Sequence, residues 1–113
     1  MIPEDQSGMT QRWSSPGGAI ATVCTGFYAG LEVPIDRERI VIGRGRGADL
    51  ALAEATISRA HAAIGLDEEG FYVEDLGSTN GTLLNGAQIR RQRLKNDDEI
   101  QMGKLVIGVS LPD

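Results

Sequence analysis

The sequence predicts an all-β domain, a β-sandwich of two antiparallel sheets. Short runs rich in β-branched and aromatic residues recur along the chain, and turn-forming residues separate them. No segment has the apolar period of a long helix. Fifteen glycines fit a chain that reverses direction often, because glycine accepts the positive φ values of tight turns.

The elements follow from this pattern in chain order. Residues 1–18 are polar, contain two prolines and lack either period, so we interpret them as a disordered leader or linker. Residues 19–113 are then the folded domain. The runs that indicate strands are 20–28, 31–35, 39–42, 49–52, 60–66, 71–76, 82–84, 99–102 and 105–111. Asn-Gly pairs at 80–81 and 85–86 are strong turn signals.

Composition limits the function. A net charge of −5 argues against nucleic-acid binding, which depends on many Lys and Arg side chains, and an aromatic content of 4% gives little support for base stacking. No apolar run approaches the length of a membrane span, and we expect no membrane contact. Cys24 has no second cysteine to pair with, which favours the cytoplasm. One histidine and one cysteine cannot by themselves supply a zinc site, and we expect no metal and no cofactor.

Three turns carry polar motifs. They are Gly-Arg at 43–44, Ser-Arg-Ala-His at 58–61 and Ser-Thr-Asn-Gly-Thr at 78–82. Each lies between runs that indicate strands, so one end of a small β domain could gather several donors for a single anion such as phosphate. The glycine spacing after residue 43 matches neither the dinucleotide-binding fingerprint nor the P-loop.

Taken in this order, with Asp49-Leu50 and a second Asn-Gly pair, the motifs resemble those of forkhead-associated (FHA) domains, the phosphothreonine-reading β-sandwiches. The resemblance runs from about Ile20 to Leu111. It implies eleven strands in two sheets of the SMAD/FHA type, a binding surface of loops at one end, and no catalysis. The chain departs from the family at Ala48, where such domains often carry Asn or Cys. We expect little effect on binding, because that position supports the loop.

The resemblance assigns roles to individual residues. It implies that charged and hydroxyl groups contact the phosphate while one amide holds the ligand backbone. The phosphopeptide-binding residues are then Arg44, Ser58, Arg59, Thr79 and Asn80. The alternatives are solvated arginines, a turn-capping serine and ordinary turn chemistry for the Asn-Gly pair.

Other motif residues are expected to support the binding loops. They are Gly43, His61, Gly81 and Asn85, with Asp49 and Asp75 as further loop supports. His61 is not expected to activate Ser58 as a nucleophile. No acid is placed to orient its ring, and three residues of extended strand would hold the two side chains apart.

Two features stay apart from this site. Four basic residues at 90–95 precede an acidic run at 97–99, and we interpret them as a solvated loop whose charges offset these neighbours. The alternative is a separate partner surface. Thr10, if phosphorylated, could fold back and block the domain's own site.

The sequence therefore predicts a non-enzymatic module for Ser/Thr kinase signalling. Its partner would be a phosphothreonine-containing protein or peptide, either a Ser/Thr kinase or a kinase substrate. The alternative is a phosphate-independent assembly module that uses its sheet faces. The oligomeric state stays open.

Overall fold

The computed structural model describes residues 18–112 and confirms the fold class. Two β-sheets, with no α-helix in the described range, pack face to face. The strands are β1 Ile20–Val23, β2 Glu32–Pro34, β3 Arg39–Gly43, β4 Leu50–Ala51, β5 Ala62–Asp67, β6 Gly70–Asp75, β7 Thr82–Leu84, β8 Ala87–Ile89, β9 Arg91–Arg93, β10 Glu99–Met102 and β11 Leu105–Ser110.

The two sheets differ in strand order. The six-stranded sheet has the order β2-β1-β11-β10-β7-β8, and the five-stranded sheet has the order β4-β3-β5-β6-β9. The β3–β4 pair is parallel, with Ile42 beside Leu50, and the described pairs β1–β11 and β5–β6 are antiparallel. Within residues 18–112 there is no helix with the length and apolar character of a membrane span.

The core lies between the sheets, and the period-2 pattern of the strands builds it. In β10 and β11 buried and less buried residues alternate, so that Ile100, Met102, Leu105 and Ile107 all face inward. Together with Ile64 of the other sheet they are at most 2% exposed. Burying such side chains is worth about 1.5–3 kcal/mol each, which holds the two sheets together and fixes where their ends lie.

The stretch after β7 corrects the sequence interpretation. Residues 91–93 form strand β9, at the edge of the five-stranded sheet, rather than a solvated loop. Arg93 Nη1 lies 2.8 Å from Asp67 Oδ1, and the Arg91 guanidinium lies 3.8 Å from the centre of the Tyr72 ring. These arginines therefore pair across the sheet and not with the acidic run. The strand was missed because Arg-Gln-Arg has no apolar residue to mark an inward face.

The first run was predicted too long. β1 ends at Val23, and residues 24–31 form a loop. Gly26 and Gly30 have φ values of 78° and 97°, which no strand allows. The loop's own backbone hydrogen bonds replace the sheet ladder there, for example from Ala29 N–H to Gly26 O.

Several loops meet at one end of the sandwich, which we call the loop pole. It comprises residues 24–31, 44–49, 52–61, 76–81 and 103–104, each following or preceding a strand that ends there. Hydrogen bonds between these loops, described below, show that they are neighbours.

Candidate functional site

Arg44 is the first residue after β3 and is tied to the β4–β5 loop, residues 52–61. Its backbone N–H donates to Ser58 O at 3.0 Å, and its side-chain Nε donates to Ile57 O at 3.0 Å. The side chain is exposed, and neither Nη atom has a partner among residues 18–112. The guanidinium is thus oriented from one side and keeps its forked donors for a ligand.

Ser58 joins two loops. Its hydroxyl oxygen accepts a hydrogen bond from the Thr79 backbone N–H at 3.0 Å, which links the β4–β5 loop to the β6–β7 loop. An accepting hydroxyl can still donate its proton, so Ser58 can offer one hydrogen bond to an anion. The Thr79 side chain is exposed beside it.

Asn80 is also fixed to the β4–β5 loop. Its Nδ2 donates to Thr56 O at 2.8 Å. The second Nδ2 proton and the Oδ1 atom stay available in the described structure, and this pair matches the carbonyl and N–H of an extended peptide. Sequence reasoning missed the role of Thr56, because its contribution is a backbone carbonyl that no motif marks.

His61 is fully buried and braces both loops. Its Nδ1 accepts from the Ser58 backbone N–H at 3.0 Å, so Nε2 carries the proton and donates to Gly81 O at 2.8 Å. The expectation that an extended strand holds the side chains of Ser58 and His61 apart was wrong, because the backbone bends at residues 59–60. The ring accepts its hydrogen bond from the backbone amide of Ser58 and not from the hydroxyl. His61 is therefore not placed to act as a base on the Ser58 hydroxyl.

Gly43 allows the β3–β4 and β4–β5 loops to touch. A Cβ at this position would overlap the carbonyl oxygen of Arg59, and the same oxygen accepts a hydrogen bond from Gly45 N–H at 3.0 Å. Arg59 itself is exposed, with no partner for its guanidinium in the described structure. The close approach brings Arg44 and Arg59 onto adjoining backbone.

Asp75 holds the β6–β7 loop. Its Oδ1 accepts from Ser78 Oγ at 2.5 Å and Thr82 Oγ1 at 2.7 Å, and its Oδ2 accepts from Gly77 N–H at 3.0 Å. Burial acts to raise the pKa of Asp75, but these hydrogen bonds outweigh it and hold the pKa below its ordinary value.

Asn85 lies apart from the binding loops. It is at the other end of β7, where its Nδ2 donates to Asp98 Oδ1 at 2.8 Å and its Oδ1 accepts from Glu99 N–H at 2.8 Å. The expectation that it supports the binding loops was therefore wrong. A tight turn with φ of 50° at Asn85 explains its Asn-Gly signal without a role at the loop pole.

Apart from Arg90, which is exposed and has no carboxylate partner among the described residues, the arginines of residues 18–112 divide into two groups. On and near the sheet edges, arginines pair with carboxylates: Arg37, Arg39, Arg91 and Arg93. In the loops at the site, Arg44, Arg46 and Arg59 have no carboxylate within ion-pair distance among the described residues. A chain with a net charge of −5 thus keeps three unpaired arginines in two adjoining loops.

The protein is a β-sandwich whose loops are joined by hydrogen bonds at one end, and comparison with known proteins identifies its family. The FHA domain model matches residues 40–103, and the chain belongs to the FHA domain family.

Curated relatives and solved structures agree with this assignment. The glycogen accumulation regulator GarA of Mycobacterium tuberculosis is 38% identical over 89 residues, covering 79% of this chain and 55% of that protein. The oxoglutarate dehydrogenase inhibitor of Corynebacterium glutamicum is 38% identical over 88 residues, covering 78% of this chain and 62% of that protein. The chain thus spans somewhat more than half the length of these relatives.

Two solved structures share the fold. One, from work on phosphothreonine-dependent FHA domain interactions, has a TM-score of 0.77 at 29% identity and covers 84% of this chain and 97% of its own. The FhaA FHA domain, complexed with the intracellular domain of a second protein, has a TM-score of 0.73 at 31% identity and covers 80% of this chain and 98% of its own.

The first prediction concerns the contact at Gly43. We expect Gly43→Ala to lower the free energy of unfolding by about 1–3 kcal/mol, because the new Cβ must push the Arg59 backbone away. Gly47→Ala is the matched control, since a Cβ there has nothing within 4 Å. Urea unfolding of both variants measures the difference. Equal midpoints would show that the two loops can separate without cost.

The second prediction concerns pH. Because the pKa of Asp75 is lower in the folded state, its contribution to stability is present above the ordinary value of 3.8 and is lost as the pH falls through and below it. Asp75→Asn is therefore expected to be less stable than the parent at pH 7 by about 1–3 kcal/mol. The gap should narrow below about pH 4.

Urea unfolding from pH 7 to pH 3 measures this gap. Glu68→Gln is the control, because this exposed side chain has no partner in the described structure. A gap of constant size across the range would contradict the role given to the Asp75 carboxylate.

Proposed function

We propose that this protein is a non-enzymatic recognition module that binds a phosphothreonine segment of a kinase-modified protein. Arg44, Ser58, Arg59 and Thr79 bind the phosphate, and Asn80 binds the ligand backbone. The observation that carries the proposal is the group of unpaired arginines beside the hydrogen-bonded pair of loops. The phosphothreonine-dependent interactions named for a structural neighbour support the choice of ligand.

The charges support this choice. A phosphothreonine carries about −1.5 to −2 at neutral pH and three strong acceptor oxygens. Arg44 and Arg59 supply guanidinium donors, and Ser58 and Thr79 supply hydroxyls. Charge-assisted bonds of this kind are about twice as strong as neutral ones, and an unmodified threonine would forfeit them.

The bounds of the domain and its cellular compartment are also part of the proposal. We propose that residues 19–113 form the FHA domain and that it acts in the cytoplasm, on a Ser/Thr kinase or a kinase substrate. An exposed Cys24 thiol is in keeping with a reducing compartment. The proposed leader and Thr10 lie outside the described residues, apart from Gly18.

The alternative, an assembly module that needs no phosphate, draws less support. On the five-stranded sheet the outward charges already pair with each other, as Arg39 does with Glu74 at 3.2 Å. Such satisfied charges have little to offer a partner. Comparing phosphorylated and unmodified forms of one peptide separates the two functions.

The third prediction compares Arg44→Ala with Arg46→Ala. Both remove one positive charge from the same loop, but Arg44 alone of the two is held by a hydrogen bond, to Ile57 O. We expect Arg44→Ala to weaken phosphopeptide binding at least about 100-fold, since it removes charge-assisted bonds to phosphate. Loss of the Ile57 bond should also cost about 1 kcal/mol of stability. Arg46→Ala is expected to change affinity less than about threefold.

Calorimetric titration with a peptide selected from an oriented phosphothreonine library measures the affinities. The phosphoserine and unmodified forms of that peptide are the ligand controls. Equal affinities of the parent and Arg44→Ala would contradict the proposed site, and equal binding of the unmodified peptide would contradict the proposed function.

A further inference from the structure

The β1–β2 loop, residues 24–31, carries Phe27 with 93% of its surface exposed. Single exposed apolar side chains are common on proteins, so exposure alone says little. What distinguishes Phe27 is that its backbone is fixed. Ala29 N–H donates to Gly26 O at 3.2 Å across a turn, and the loop closes at its base where Gly30 N–H donates to Val23 O at 2.7 Å.

Tyr28 anchors the loop and supports the Phe27 ring. The two rings meet edge to face, with centroids 5.1 Å apart and planes at 86°. Tyr28 packs against the core, and its hydroxyl accepts a hydrogen bond from Ala53 N–H at 3.2 Å. Phe27 is therefore presented on an anchored loop, and this anchoring lowers the conformational entropy that binding against it would cost.

Hydrogen bonds connect this loop to the candidate peptide site. Asn80 donates to Thr56 O, and Thr56 Oγ1 accepts from Lys104 N–H at 2.8 Å. Lys104 O in turn accepts from Thr25 Oγ1 at 3.0 Å, two residues before Phe27. The loop of Phe27 is thus joined to the loop of Asn80 at the loop pole, through the β4–β5 loop and the β10–β11 turn.

The β4–β5 loop and the β10–β11 turn each carry a charged side chain near Thr56, Glu54 in the loop and Lys104 in the turn. Hydrogen bonds from the Thr56 hydroxyl and amide, with a smaller contribution from the Lys104 charge, lower the pKa of Glu54. The carboxylate is therefore ionised at neutral pH. Phe27 is the most exposed large apolar side chain of the described residues and is the feature that can select an apolar side chain.

We propose that Phe27 is a specificity-determining contact for the same phosphorylated ligand and that it takes an aliphatic or aromatic side chain from that ligand. The inference rests on the proposed function. An extended peptide held at Asn80 advances about 3.3 Å per residue, so the contacting residue lies a few positions from the phosphothreonine. Buried aromatic anchors of this kind dominate many binding interfaces.

The experiment is selection from an oriented phosphothreonine library with degenerate flanking positions. The parent should select an apolar residue at one flanking position, and Phe27→Ala should lose this preference. Calorimetry with the selected peptide should show about a 10-fold loss of affinity in Phe27→Ala. A peptide with alanine at that position should bind both proteins equally.

Two further variants control the result. Leu31→Ala truncates the other large exposed apolar side chain of the described residues and should keep the parent's preference. Tyr28→Phe keeps the ring but removes the acceptor for Ala53 N–H, and it should weaken the preference to a level between the parent and Phe27→Ala. Thermal unfolding checks that each variant is folded.

The outcomes separate this inference from the proposed function. If Phe27→Ala selects the same residues as the parent with the same affinity, the inference is overturned while the phosphothreonine site stands. If the parent binds no phosphopeptide, the proposed function fails and the inference fails with it. If sedimentation shows a dimer of the parent that Phe27→Ala abolishes without a change in peptide selection, a second copy covers Phe27 and the inference is overturned.

Discussion

The loops of the candidate site depend on two hydrogen bonds made by the buried imidazole of His61. Its two nitrogens can meet one donor and one acceptor, and the chain supplies both, the Ser58 N–H and the Gly81 carbonyl. Leaving either group buried without a partner would cost about 1–3 kcal/mol. The ring therefore fixes the spacing between the β4–β5 and β6–β7 loops, and this spacing sets how far apart Ser58 and Asn80 stand.

Around this ring each loop is held by more than one neighbour. Thr79 N–H and Asn80 Nδ2 both donate into the β4–β5 loop, and Gly43 lets the β3–β4 loop press against the same backbone. Because the contacts are mutual, the loops form one preorganised surface rather than three independent segments. Preorganisation lowers the entropy cost of binding and favours recognition of a small, directional group such as phosphate.

The sequence predicted the fold, and it marked candidate site residues that the structure places in neighbouring loops, because both leave local marks. Period-2 runs and turn residues are visible one segment at a time, and ordered motifs marked Arg44, Ser58 and Asn80. What escaped prediction was non-local. β9 has no inward apolar residue, and it is a strand because its backbone pairs with β6, where Arg93 lies beside Tyr72 and Arg91 beside Glu74. Asn85 shares its turn signal with Asn80, and only the length of β7 places it at the far end.

The distribution of arginines adds a reason for the site's selectivity. Arg39 of β3 and Arg91 of β9 are paired with carboxylates, so their positive charges are offset within the domain. A net charge of −5 makes the chain as a whole unfavourable for anionic partners. Arg44 and Arg59, which have no carboxylate partner among the described residues, lie in loops where an anion would be favoured against this background. The net negative charge also argues that a ligand gains most beyond the phosphate from uncharged contacts, and the proposed contact with Phe27, exposed on an anchored loop, is of this kind.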